Sequence, residues 1–514
     1  MSVTKRIAFG AAANSFSRAV TIVLSLVLLP VLFHHLDREE LGVWLLLAQT
    51  SVLLFILDLG LSTVLTRRIA LAKGKSGSDP DILLNDETRN EIANLVAIGR
   101  RLFTIMAVAI FVLSTLSGFV YLRNLHLTHV SLSTVWLSWA VLCLSQALGV
   151  WGQTWNCLLN GVGYVGWDAL LNSILQALIL VVQIIALFLG GGLVALATIA
   201  ATGWFVQRYV LRSFARRRRP ELFQLHGKYD GSVVRAMISP SLRAWGTTLG
   251  SILVLNSDQF FIAGLNGVTQ LPAYRAAFLV FYNLNAVSVT FAGASIVFIS
   301  HLWQAGEVTE IHRIVVRNLR LGLGLMAAGG ACILVLGPRL FDVWLGANNF
   351  IGYPILAIFF VLMIFEAQSY VITLGSRATD DEAFAFWSLG GAALKLVLAG
   401  ILGARYGLLG IASSTLLAQL VTTHWYMVYR GLRRLRMSLR RHVTEVLLPV
   451  TLLFVLVALA VWAPLSFNLF ATEWQAVIGG SCIAGLILAG FLWCFVLDPN
   501  HRERLVMRWH LARP

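Results

Sequence analysis

The chain has 514 residues, 58% of them hydrophobic and only 12% charged, with a formal net charge of +15 and a mean hydropathy of +0.79. That composition excludes a soluble globular protein and leaves a polytopic membrane protein with little room for a soluble domain. The basic excess, which in a soluble chain would suggest nucleic acid, lies between hydrophobic segments, so no nucleic-acid partner is expected.

A helix needs about 20 apolar residues to cross the hydrocarbon. On that rule the chain is all-α, with about fourteen transmembrane helices near 14–35, 42–66, 102–121, 132–160, 166–189, 193–211, 242–264, 272–300, 319–338, 351–374, 384–403, 408–429, 445–463 and 475–497. The first run continues into the bundle without a cleavage site, so it is expected to be retained. Between the second and third spans, Asn85-Asp86-Glu87 predicts the cap of a short surface helix leading to Arg100. Glycines at 190–192 and the Tyr406-Gly407 pair predict tight helical hairpins.

Arginine and lysine alternate from loop to loop. Arg67, Arg68, Lys73 and Lys75 follow the second span, Arg212 and Arg216 to Arg219 the sixth, Arg313, Arg317 and Arg320 the eighth, and Arg430 to Arg441 the twelfth. By the positive-inside rule these loops and both termini face the cytoplasm of a multi-pass inner-membrane protein. The basic clusters themselves read as topology and anionic-lipid anchors. Five cysteines inside apolar runs lack metal-ligand spacing and read as packing residues. No metal and no cofactor are expected.

The corner Leu41-Gly42-Val43-Trp44 is similar to Leu271-Pro272-Ala273-Tyr274, and Gly191-Gly192-Leu193 to Tyr406-Gly407-Leu408, each at an offset of about 230 and 215 residues. The expected organisation is therefore an N-terminal six-helix lobe (1–215), a C-terminal six-helix lobe (236–430), two additional helices (443–498) and a cytoplasmic tail (499–514). Such pseudo-symmetric lobes commonly enclose a central cavity.

Polar residues recur on single helix faces within the apolar spans: Asn14, Arg18, Thr21 and Ser25; Ser51, Asp58 and Ser62; Gln146, Gln153, Asn156 and Asn160; Asp168, Asn172, Gln176 and Gln183; Thr247, Ser251 and Asp258; Arg275, Tyr282 and Asn285; Glu366, Ser369, Tyr370 and Thr373. A shared water-filled cavity explains seven such stripes, and hydrogen bonding between helices is the alternative. A charge at the bilayer centre costs at least about 2.5–3.5 kcal/mol. Arg18, Asp58, Asp168, Asp258, Arg275, Glu366 and Lys395 therefore need a cavity or a partner; a structural Lys395–Glu366 pair is one open reading.

Leu41-Gly42-Val43-Trp44, Leu57-Asp58-Leu59-Gly60-Leu61, Arg67-Arg68-Ile69-Ala70, Asp258 to Gly264 and Ala273-Tyr274-Arg275-Ala276-Ala277 together resemble the polysaccharide transport family, the Wzx-type oligosaccharide flippases of the multidrug/oligosaccharidyl-lipid/polysaccharide (MOP) exporter superfamily. The resemblance implies a two-lobed helical flippase, not an enzyme, that moves undecaprenyl-diphosphate-linked oligosaccharide for surface polysaccharide assembly. It implies a cationic cavity but carries over no exact site.

On the residues, Arg18, Lys395 and Arg275 are candidates for the diphosphate, since guanidinium suits phosphate oxygens. Gln153, Asn156, Asn172 and Gln176 are candidates for the glycan. No Walker pattern is present, so coupling is expected to be secondary, with Asp58, Asp258 and Glu366 as candidate carriers of H+ or Na+. Membrane lipid and polysaccharide assembly proteins are the other expected partners. The alternatives are a drug or small-cation exporter of the same superfamily, and a membrane glycosyltransferase or polymerase using the acidic corner Asp37-Arg38-Glu39-Glu40. That corner is expected to be a solvated turn.

Overall fold

The computed structural model describes residues 3–54, 58–76, 81–224, 227–295, 299–300, 302–303, 305–379 and 384–497. All regular elements among them are helical, the form in which an unbroken apolar segment satisfies its own backbone inside lipid. The chain divides into two compact units, Met1–Pro272 and Ala273–Pro514.

The first unit contains α1 (Val3–His35), α2 (Arg38–Leu54), α3 (Leu61–Gly74), α4 (Asp86–Leu122), α5 (Leu132–Trp151), α6 (Gln153–Val162), α7 (Val165–Phe188), α8 (Leu193–Arg218), a one-turn α9 (Glu221–Gln224), α10 (Gly231–Asn256) and α11 (Asp258–Leu265). Helix α1 lies along α7, α5 along both α4 and α8, and α3 along α6. At the arginine-rich end, Leu65, Ile69, Ile92, Phe103, Leu158 and Leu211 form a buried core from four helices.

α4 differs from its expectation. Asn85 caps it, its side chain accepting from the Thr88 amide at 2.8 Å, but the surface helix and the third span are one continuous helix of 37 residues. At 1.5 Å per residue that is about 55 Å, well beyond a hydrocarbon core of about 30 Å. The excess is the charged first third, which is where a helix can leave the membrane without a break.

After α12 (Leu271–Ser288), the second unit contains the short α13 (Thr290–Ala294), α14 (Val308–Leu345), α15 (Tyr353–Arg377), α16 (Ala385–Ala418), α17 (Trp425–Arg434), the one-turn α18 (Leu439–His442), α19 (Leu448–Ser466) and α20 (Glu473–Phe495). Two π-helical stretches, Gln419–His424 and Val443–Leu447, interrupt the run from α16 to α19. Helices α19 and α20 pack along α14, with Phe454 stacked on Phe360 of α15.

Eleven helices among the described residues are long and apolar enough to cross a bilayer. The expected fourteen and this eleven part at three places. The apolar stretch of α1 is short, Ala19–His35. The expected span 42–66 is broken, with Leu59 and Gly60 both left-handed (φ 50° and 72°) between α2 and α3. Residues 385–434 count as one helix of 50 residues, yet Gly407 leaves helical geometry (φ 56°, ψ −136°). A Cβ on Gly391 would stand 2.6 Å from Thr422 Oγ1. Those two residues lie about equally far on either side of Gly407, as the arms of an antiparallel hairpin do.

The acidic corner is not a solvated turn. Glu39 is only 4% exposed. Its carboxylate accepts from the backbone amides of Thr128, His129 and Val130 at 2.9–3.0 Å and from the Thr128 hydroxyl at 2.5 Å. Burial pushes its pKa up, but these hydrogen bonds outweigh that and leave it lowered to about 2. Its neighbour Glu40 accepts from the Leu193 amide at 3.1 Å, at the N-terminus of α8, where a negative charge is favoured. The corner therefore ties the α1–α2, α4–α5 and α7–α8 connections together, and its carboxylates are occupied by backbone.

Candidate functional site

Each unit buries a polar cluster. In the first, Gly152 ends α5 and starts α6, turning Gln153, Asn156 and Asn160 toward α7 and α8. The glycine lets α8 approach closely: a Cβ on Gly152 would collide with the aliphatic stem of Arg208. Arg208 is 5% exposed. It donates to Gln153 Oε1 at 2.9 Å and to Asn156 Oδ1, and its guanidinium lies 5.1 Å from the Trp204 ring centre.

Asn156 Nδ2 in turn donates to Asp168 Oδ1 at 2.9 Å, and Asn160 Nδ2 to Asp168 Oδ2 at 3.0 Å. Gln207 donates to Asn172 Oδ1 at 2.5 Å. The arginine and the carboxylate are thus joined through the Asn156 amide. An amide can accept from the cation and donate to the anion at once, so both charges are met without water.

Three expected glycan residues, Gln153, Asn156 and Asn172, are brought together here and hydrogen-bonded to α8. Gln176, one turn beyond Asn172, is exposed. A second polar contact joins α2 to α10 and α11: Gln49 donates to Asn256 at 2.7 Å and accepts from Gln259 at 3.2 Å. Asp58 sits in the break before α3 and accepts from Ser62 Oγ at 2.9 Å, holding the start of that helix. Asp258 opens α11 and is buried. The side chain of Arg18 lies outside the described residues.

The second unit gathers its cluster around the π-helical stretches. Gln419, the first residue of one, donates to Glu366 Oε1. His424, its last, shares a 2.7 Å hydrogen bond with Ser369 and stacks on Phe365 at 4.4 Å. Gln368 and His442 are 2.7 Å apart, and His442 is fully buried just before the second stretch. Lys395 is also fully buried, on the α16 face that carries Gly391, Ala392 and Ala399. Arg275 is half-buried with its guanidinium 5.5 Å from the Phe278 ring centre.

Arg208, Gln207, Gln368, Gln419, His424 and His442 escaped the sequence reading. Arg208 stands four residues before Arg212 and reads as the start of a topology cluster. The rule that an ionisable group within a span needs a partner singles it out once 193–211 is read as a span.

The family profile described as "Polysaccharide biosynthesis protein" matches residues 7–303, more than half of the chain. The chain belongs to that family. No curated protein matches it. Among solved structures, the lipid II flippase MurJ in an inward closed conformation is similar with a TM-score of 0.71 at 12% identity, covering 95% of this chain and 98% of that one. A multidrug resistance MATE family transporter of the MOP superfamily, inward-facing, gives 0.62 at 14% identity over 83% of this chain and 98% of its own. A MOP superfamily transporter from Pyrococcus furiosus, described as having a binding pocket of reversed polarity, gives 0.58 at 15% identity over 84% and 96%. The family member thus has the fold of MOP superfamily transporters, as the resemblance implied.

Proposed function

We propose that the chain is a secondary flippase that carries undecaprenyl-diphosphate-linked oligosaccharide across the bacterial inner membrane by alternating access, with both termini cytoplasmic. The observation that carries this reading is the family match together with the extent of the fold. The lipid II flippase covers 95% of the chain and the MATE transporter 83%. That margin, about a tenth of the chain, is the size of the α19–α20 pair.

In this reading Arg18, Arg275 and Lys395 meet the diphosphate, while Gln153, Asn156, Asn172 and Gln176 meet the glycan. Asp58, Asp258 and Glu366 carry the coupling H+ or Na+. Lys395 is covered in this conformation, so its amine reaches substrate only when α16 separates from its neighbours, which ties phosphate binding to the conformational change. The membrane potential offers a further drive of about 2.3 kcal/mol per charge per 100 mV.

The test is reconstitution into liposomes with undecaprenyl-diphosphate oligosaccharide on the inner leaflet, scoring arrival at the outer leaflet. Protein-dependent arrival that Lys395→Ala abolishes, with the variant folded, supports the reading. Normal transport in both Lys395→Ala and Arg275→Ala removes the cationic site. No arrival under any ion gradient, with the protein folded, turns the reading to the small-cation exporter.

A further inference from the structure

The Arg208 network has an opposite side. Between α5, α6 and α8 lies a cavity of about 160 Å³ lined by Leu148, Trp151, Trp155, Phe205, Tyr209, Arg208 and Arg212, about five water volumes at ~30 Å³ each. Arg208 and Arg212 both line it. Arg208, nine-tenths buried, keeps its Nε without any hydrogen-bond partner among the described residues. Arg212 has no hydrogen-bond partner among them either, and lies 5.6 Å from the centre of the Trp155 ring. Arg208, Arg212 and Arg216 stand four residues apart, so they form a ladder on one face of α8 that leads from the buried network to the arginine-rich end.

The rim is apolar. Trp151, Phe205 and Tyr209 are 44%, 52% and 64% exposed, on helices long and apolar enough to cross a bilayer. Two arginines, one buried and one exposed, beside exposed aromatics suit one kind of ligand, an anion carried on a long apolar chain. Guanidinium matches phosphate oxygens in a fixed fork, and tryptophan and tyrosine prefer the boundary between chain and headgroup.

We propose that this cavity is a binding site for the phosphate of a membrane lipid, held by Arg208 and Arg212 with its apolar chain against Trp151, Phe205 and Tyr209. Two sources share that chemistry: a bulk phosphoglycerolipid, and a polyprenyl phosphate carrier. The site belongs to the first unit alone.

Native mass spectrometry of the full chain in detergent, titrated with phosphatidylglycerol in one arm and undecaprenyl phosphate in the other, tests it. One saturable adduct is expected in at least one arm, and the arm identifies the source. Arg212→Gln should lower its retention about tenfold, the loss of one charge-assisted hydrogen-bonding group, while Arg216→Gln, exposed and outside the cavity, should change it less than about twofold. Phe205→Ala removes apolar wall without touching charge and should weaken retention several-fold, which keeps the test open if Arg212→Gln does not fold. Wild-type retention in a folded Arg212→Gln or in Phe205→Ala, or no saturable adduct in either arm, overturns the proposal. The readout is binding alone, so its outcome is independent of the flippase assay.

Discussion

The two buried polar clusters solve the same problem differently. In the first unit a permanent cation, Arg208, and a carboxylate, Asp168, are joined by an amide, and three helices contribute fixed donors and acceptors. In the second, Glu366, His424 and His442 meet neutral amides and a hydroxyl beside two π-helical stretches. Arginine stays charged at any accessible pH, whereas glutamate and histidine can change charge. π-Helical turns, rare in themselves, recur at functional sites. The charge is fixed in the first cluster and can change in the second, and the following experiments press on that difference.

The largest effect belongs to Arg208. Arg208→Met leaves Gln153, Asn156 and, through it, Asp168 without the cation they are arranged around. Removing one partner of a buried charged network costs about 3–5 kcal/mol. The expected result is little folded protein in detergent and a steep fall in unfolding temperature. An unchanged melt would show that the network is open to water and does not hold the unit together.

Next comes Glu39, which anchors the opposite end of the same unit. Glu39→Ala removes the shared acceptor of three backbone amides and a hydroxyl and should cost about 1–3 kcal/mol, read as a lower unfolding temperature. Its pKa falls from 4.5 to about 2 on folding. The carboxylate therefore stabilises the fold fully above pH 4.5 and loses that contribution as pH drops toward 2. Glu39→Gln should flatten the acid limb of stability against pH; an acid limb identical to wild type would place the acid sensitivity elsewhere.

How much of this the sequence foretold depends on the kind of residue. Apolar length marked the spans, and Asn85, Gly190 and Gly407 marked turns and caps through local chemistry alone. The stripes carrying Gln153 and Asn156 on one span and Asn172 on the next were legible because helical spacing places residues on one face. What the face meets was not. Arg208 enters from a helix on which it stands 52 residues beyond Asn156, and its stem passes against Gly152 where α5 meets α6. The acidic corner misled for a similar reason: charge density at a turn predicts solvent, but the amides of Thr128 to Val130 replace it, and amides leave no mark in the sequence.

Gly152→Ala tests the joint between span break and network. The added methyl meets the Arg208 stem, so overpacking should cost about 1–3 kcal/mol. It should also disturb Arg208, so pairing it with Arg208→Lys, which has a slimmer head on a similar stem, should give less than the sum of the two single effects. Additive costs would mean that the glycine serves the helix break alone.

The smallest stability effect, and the sharpest test of the division, is Glu366→Gln. Glutamine keeps an oxygen to accept from Gln419 and fills the same volume, so the unfolding temperature should move by less than about 1 kcal/mol equivalent. Transport is another matter. If Glu366 is the coupling carrier, glutamine holds the site permanently neutral, and ion-driven translocation should fall at least about tenfold while substrate binding persists. The corresponding change in the first unit, Asn156→Asp, adds a charge between Arg208 and Asp168 and should weaken the fold there. Equal loss of folding in both variants would erase the distinction between a placing cluster and a titrating one. Loss of transport confined to Glu366→Gln, with folding intact, would leave the second unit as the seat of coupling.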